Sequence, residues 1–509
     1  MTASRASGLL LHPTSLPGPP GIGDLGPAAL GFLQTLHGAG QSLWQVLPLG
    51  PTGYGDSPYQ TLSAFAGNPL LIAPEVLKEE GLLTAKAVAA VSAGAPDRVD
   101  FGAVIAAKTA LLQQAWKAFD GGAGSPELRE DWAGFREREQ AWLEDWTLFA
   151  ALHDRHRKSW VDWPRELAGR EEKALETARS ELSREIKRHA FSQFLFFRQW
   201  DAVRARATEL GIRVFGDLPL FVAHDSADVW AHPDLFDLDE QGHPLRLSGA
   251  PPDVFTDDGQ LWGNPLYRWD ALEKSDFAWW VDRVRAAFRL FDLVRIDHFR
   301  GFAACWASPA GETTARNGQW DPVPGAKLFE VLQRELGELA FVAEDLGEIT
   351  PDVNELRDRF GFPGMRILLF GFGGDPNENT FALFNHERNS VVYTGTHDNE
   401  TVCGWFRDGI YTSMNRPKKE AEEERARVLT CTGTDGSEIH WDFIRLAMLS
   451  VADTVVVPVQ DVLGLGNEAR MNFPGTQNEN WVWRLAPDQW TDEHSRRLVD
   501  LARATGRTP

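Results

Sequence analysis

Cysteine is nearly missing from this chain. Cys305, Cys403 and Cys431 are the only three in 509 residues, and their spacing gives no disulfide framework, metal-ligand set or redox pair. A reducing compartment is expected. No apolar run is long enough to span a bilayer, and no basic stretch with a long apolar core opens the chain. It therefore reads as cytoplasmic, with no membrane partner. Positive charge is also scarce: Lys and Arg number 51 against 73 Asp and Glu, for a net charge of -22, which argues against a nucleic-acid surface. Tyrosine is rare as well, five against twenty tryptophans. Wide aromatic faces suit sugar rings, although most tryptophans in any fold are packing.

What is present is an alternation. Hydrophobic residues at 43% and charged residues at 24% are globular values, and short apolar runs alternate with amphipathic segments, the signature of a parallel α/β fold. The runs are Gly8–Leu11, Ser42–Leu47, Ile212–Phe221, Leu293–Asp297, Ala340–Asp345, Met365–Phe370, Val391–Thr396 and Thr454–Gln460. Eight strand candidates with intervening helices predict a (β/α)8 TIM barrel, a single domain over residues 1–509. A helical insertion is expected at about 70–170, rich in Ala, Glu, Arg and Trp, and a long helix from near Glu171 to Leu210. Loop insertions are expected at about 223–275 and 399–452. The first carries Gly249–Phe255 and Gly259–Pro265, and such length without clear secondary structure is commonly functional. Breakers exclude regular structure from Pro48 to Pro69, where Tyr54 and Tyr59 serve either as a sugar platform or as loop packing.

Charge interrupts the fourth run. A parallel strand covered on both faces should be almost wholly apolar, yet this one carries Arg295 and Asp297. Side chains two apart share a face, so the guanidinium favours an ionised Asp297. Asp292 falls on the opposite face. In a barrel the chemistry belongs at the carboxyl ends of the strands, and the ends here carry Asp217, Asp297-His298, Glu344-Asp345, His397-Asp398-Asn399 and Asp461. For Asp345 and Asp461 a helix N-cap role is at least as natural as a site role.

Two reaction classes use several carboxylates without a thiol or a serine triad. One holds a divalent metal among oxygen ligands; the other breaks glycosidic bonds with a nucleophilic carboxylate and a carboxylic acid. No Gly-rich phosphate cradle accompanies these strand ends and lysine is scarce near them. Glu344 follows Phe341-Val-Ala343 without a neighbouring cation, so desolvation should keep it protonated. The two acids thus differ in the direction that glycosidic chemistry requires.

Taken together, Val294–Gly301, Ala343–Gly347 and Gly395–Thr401 resemble the 4-α-glucanotransferases called amylomaltases or disproportionating enzymes, glycoside hydrolase family 77 of the α-amylase superfamily. The resemblance runs from His12–Gly18 through Tyr54–Tyr59 and Pro251–Asp253 to Asn472–Thr476, nearly the whole chain. It implies a retaining transglycosylase acting on α-1,4-glucans without a dissociable cofactor or metal. Asp297 matches the nucleophile, Glu344 the acid/base and Asp398 the acid that stabilises the transition state. Substrate contacts are implied at Tyr59, Asp217, Arg295, His298 and His397, and further at Trp262, Asn264, Asn472, Pro474 and Phe255, the last in a loop over the cleft. Tyr54 matches an aromatic of a second glucan site whose other aromatic corresponds to Phe101, without the hydroxyl. Val254 stands where that loop often has an aromatic. An α-glucan hydrolase and a noncatalytic glucan-binding barrel are the alternatives.

Overall fold

A computed structural model describes residues 5–19, 21–91, 94–252, 257–407, 418–476 and 479–508. Eight strands form one parallel sheet: β1 (Ala6–Leu10), β2 (Leu43–Gln45), β3 (Arg213–Leu218), β4 (Leu293–Ile296), β5 (Phe341–Ala343), β6 (Gly364–Ile367), β7 (Ser390–Tyr393) and β8 (Thr454–Pro458). Their order in space is β6-β7-β8-β1-β2-β3-β4-β5. The seam between the two end strands is joined at Ala343, whose amide donates to the Pro363 carbonyl at 2.8 Å. The sheet is the (β/α)8 barrel expected from the alternation. Its strands are almost wholly buried because helices cover the outside while side chains fill the inside.

Strand ends are shorter than the apolar runs suggest. The sixth run turns into a 3-10 helix at Leu368–Phe370, and the eighth into the helix Val459–Val462. Both changes occur where the chain leaves the sheet, so burial continues after the ladder stops. The long helix is two helices, Glu172–Glu181 and Ser183–Glu209, meeting at Leu182. Between β2 and β3 the chain is chiefly helical, and Phe191, Phe194, Phe197 and Trp200 of the second of these pack into the core. Short 3-10 turns at Tyr54–Asp56 and Pro69–Leu71 interrupt the breaker-rich loop after β2.

The segment read as structureless before β4 is corrected by the structure. Strands Arg246–Ala250 and Gln260–Pro265 pair antiparallel with each other, and Ala304–Pro309 and Gln319–Pro322 complete a four-stranded sheet. These strands are short, partly exposed and carry Arg246, Ser248, Gln260 and Gln319, so no apolar run marks them. Among the described residues no helix is long and apolar enough to cross a membrane.

Candidate active site

Register sets the site. Asp217 on β3 lies directly opposite Arg295 on β4, and neighbouring positions of adjacent strands share a face. Arg295, buried, spends one terminal nitrogen on Asp217 and the other, Nη2, on Asp297 Oδ1 at 2.7 Å. Asp292 lies on the outer side, accepting from the Val214 amide and from Arg204 of the helix Ser183–Glu209, both at 2.8 Å.

Tyr59 ties three strand ends together. Arg295 Nη1 donates to its hydroxyl at 3.2 Å. Its oxygen lies 3.0 Å from Asp217 Oδ2 and 2.9 Å from His397 Nε2. A phenol has one proton and two lone pairs. The proton therefore goes to Asp217, and His397 donates from Nε2, a tautomer assigned from this network. The rings of Tyr59 and His397 stack at 5.3 Å, with Trp481 5.9 Å from each. Tyr59→Phe leaves buried partners unsatisfied, which should lower stability by about 1–3 kcal/mol. A fall in the melting temperature would register it; unchanged melting would show that the hydroxyl bonds contribute nothing.

Asp398 follows His397 at the end of β7. Its Oδ1 accepts from Asn472 Nδ2 at 2.7 Å, its Oδ2 lies 3.3 Å from His397 Nε2, and its main-chain carbonyl accepts from Arg470 Nη2 at 2.7 Å. The Asp398 side chain is 40% exposed and that of Asp297 is 28% exposed, so both carboxylates open to the cleft. Burial holds the His397 imidazole down at about 4, hence neutral at pH 7.

Glu344 sits deeper, 9% exposed. The chain turns sharply after Asp297: His298 takes φ 49°, the left-handed region, at a cost on the order of 1–3 kcal/mol. This turn aims the His298 amide at Glu344 Oε2, 2.6 Å away, while the Leu346 amide reaches Oε1 at 3.2 Å. The fourth and fifth strand ends are thereby latched to one another. Burial, reinforced by the Asp297 charge, pushes the Glu344 carboxyl up to about 8 against the pull of Arg295.

Asp297 departs from the sequence expectation. Burial also raises it, with Asp398 adding to the rise, and Arg295 offsets only part. The guanidinium is shared with Asp217, itself raised by burial to about 7. One cation is spread over several crowded acids, and burial raises all of them even where the cation donates a direct hydrogen bond. Arg295 touches Asp217 and Asp297, and Glu344 receives only amides. Both acids are raised, and they differ in their partners: a guanidinium for Asp297, main-chain amides for Glu344.

Other expected residues fall as follows. Trp262 stands edge-on to His298 with ring centroids 4.7 Å apart. Asn264 is buried and holds loops, donating to the Val222 carbonyl at 2.9 Å and accepting from Gln60 at 3.4 Å. Pro474 is exposed in a turn beside Asn472. Phe101 opens the helix Phe101–Asp120 and is 9% exposed, its ring packed into the core. Phe255, with Asp253 and Val254, and the Tyr54 side chain lie outside the described residues. Neither Asp345 nor Asp461 is a helix N-cap residue, and Asp461 lines the same cavity as His397. Asp345 accepts from the Met365 amide at 2.7 Å and from Arg357 at 2.6 Å, and Asp461 from Thr394 at 2.6 Å and the Val402 amide at 2.8 Å. Both pin strand ends. Sequence reasoning missed Arg470 and Trp481; the first lies two residues before the stretch Asn472–Thr476, while Trp481 has no signal beyond its aromaticity.

Among the described residues no group of three or more His, Cys, Asp or Glu is arranged to hold a metal ion. What remains is a carboxyl prone to protonation, a carboxylate on a guanidinium and a third carboxylate held by an amide, gathered at one mouth. A family profile for 4-alpha-glucanotransferase (glycoside hydrolase family 77) matches residues 11–489. The chain is 52% identical to a 4-alpha-glucanotransferase of Thermus thermophilus and 46% identical to one of Synechocystis, the alignments covering 100% of this chain and 100% and 99% of those proteins. Its fold matches that of the amylomaltase from Streptococcus agalactiae in complex with acarbose, with a TM-score of 0.94 at 36% identity over 99% of this chain and 100% of that one. With the barrel, the acids at its mouth and these likenesses in agreement, the chain belongs to the 4-alpha-glucanotransferase family.

Proposed function

We propose that the chain transfers α-1,4-glucan segments by a retaining double displacement, with Asp297 as nucleophile and Glu344 as acid and then base. The supporting observation is the unequal treatment of these two acids by Arg295. Asp297 attacks the anomeric carbon; Glu344 gives its proton to the departing glucan oxygen, and a β-linked glycosyl ester forms on Asp297. Asp398, oriented by Asn472, and the neutral His397 hold the hydroxyls of the donor ring as positive charge grows at its anomeric centre. Glu344 then removes the proton from the 4-hydroxyl of an incoming glucan, whose oxygen displaces Asp297. The α-1,4 bond is restored, and two inversions give retention.

Transfer outruns hydrolysis when an acceptor sugar is positioned better than water. Trp262 beside His298 is the aromatic wall suited to that task. Incubation with maltotriose tests the reading: glucose and oligosaccharides longer than the substrate are the expected products. Glucose and maltose alone would mean that water is the acceptor, as in a hydrolase, and unchanged maltotriose would leave only a binding protein.

A further inference from the structure

We infer that a cavity beside the small antiparallel sheet is a further glucan-binding site, separate from the bond-breaking acids and lined by neither Tyr54 nor Phe101. The cavity has a volume of about 280 Å3 and is lined by Asp237, Arg246, Tyr267, Trp269, Cys305 and Asp321. That volume is close to the lower end, about 300 Å3, of small-ligand sites. The inference rests on the glucan reading above for the identity of the sugar.

The lining has the chemistry of a neutral polyol site. Arg246 lies between two carboxylates, its Nε donating to Asp237 at 2.8 Å and its Nη1 to Asp321, while Gln319 Nε2 donates to Asp321 Oδ1 at 3.0 Å. These three charged side chains are 19–38% exposed, so donors and acceptors are fixed in advance yet remain reachable. Vicinal hydroxyls, each both donor and acceptor, match such an alternating row. Two carboxylates against one guanidinium disfavour an anion, and the guanidinium occupies the place between the acids that a metal ion would need. Arg268 and Asp270 on the rim lie 4.0 Å apart and largely cancel.

An aromatic wall completes the site. Trp269 is half-buried and braced by Tyr267 at 5.3 Å and Trp280 at 6.4 Å, the latter nearly parallel at 17°. Tyr267 is fixed in turn: its hydroxyl donates to the Leu220 carbonyl and accepts from Arg283, both at 3.0 Å. A rigid indole suits the apolar face of a sugar ring. Buried Cys305, its thiol pushed up to about 12, is an inert neutral floor.

The same strand links cavity and cleft. Gln260–Pro265 carries Trp262 beside His298 and leads directly into Leu266 and Tyr267. The chain bends at Gly263 (φ 81°), and Phe221 stands between the two rings, 6.3 Å from Trp262 and 6.1 Å from Tyr267. A long glucan engaged at both places gains effective concentration at the cleft; a trisaccharide whose rings are taken up at the bond-breaking acids gains none.

The test compares amylose with maltotriose in the full chain. Trp269→Ala should raise KM for amylose about tenfold and leave kcat and KM for maltotriose unchanged. Asp321→Asn, isosteric and half-exposed, should shift amylose in the same direction, and it carries the test if Trp269→Ala folds poorly. Trp269→Phe, which keeps a flat ring, should restore most of the affinity. Unchanged amylose KM in a folded Trp269→Ala or Asp321→Asn protein overturns the cavity site, and so does an equal loss on maltotriose. If the unmodified protein leaves maltotriose untouched, it is the transferase reading that falls, and maltoheptaose titration of Trp269→Ala against the unmodified chain still decides whether the cavity binds glucan.

Discussion

Asp297→Asn should lower kcat/KM for glucan transfer by about four orders of magnitude or more, because an amide cannot displace the leaving glucan and carry the ester. The fold should survive. Asn retains an oxygen for Arg295 Nη2, now at 2.7 Å from Asp297 Oδ1, and loses a carboxylate that burial already strains. Rates on maltotriose beside a circular-dichroism melt separate the two effects. A folded variant with near-normal turnover would remove Asp297 from the chemistry.

Glu344→Gln should lose about 10^2- to 10^4-fold in rate, the usual contribution of a positioned proton donor and acceptor. The loss should depend on the leaving group: a donor with a fluoride leaving group needs no proton and should still form the intermediate at near-normal rate. The pH profile gives a second handle. With its carboxyl raised to about 8, Glu344 is protonated below that pH and the acid is lost above it, so the alkaline limb of kcat/KM should fall near 8 and vanish in the variant. The acid limb belongs to Asp297, which must be ionised, and should lie above the ordinary carboxylate range because burial raises that group.

The same displacement makes a stability prediction. Glu344 binds its proton more tightly folded than unfolded, since its carboxyl rises from 4.5 to about 8. Stability is therefore fully present below pH 4.5 and declines as pH rises toward 8. At pH 7 the cost is no more than about 3 kcal/mol. Gln carries no such cost, so the variant should melt higher at pH 7 and equally at pH 4. An unchanged difference across that range would show that the carboxyl is not raised.

The barrel was readable because its strands are covered on both faces, which turns each into an uninterrupted apolar run. Ser390–Tyr393 and Thr454–Pro458 are plain examples. The Arg246–Ala250 and Gln260–Pro265 strands were not, since a sheet with a wet face and two buried positions in each of these strands leaves no run to find. Burial of Glu344 followed from its apolar approach, Phe341-Val-Ala343. The state of Asp297 did not, because the sharing of Arg295 with Asp217 depends on strand register, and register is invisible along the chain. Asp345 and Asp461 show the same limit. An acid at a strand end can staple a neighbouring strand as well as act on a ligand, and only the partners, Met365 and Arg357 or Thr394 and Val402, tell which.

The most direct test traps the covalent intermediate. A fluorinated maltosyl fluoride, slow to leave the enzyme once attached, is incubated with the protein, which is then digested and mapped by mass spectrometry. The sugar is expected on the peptide carrying Asp297, and on that residue within it. A sugar on Asp398 or Glu344, or active turnover of the reagent with no labelled peptide, would contradict a double displacement through Asp297.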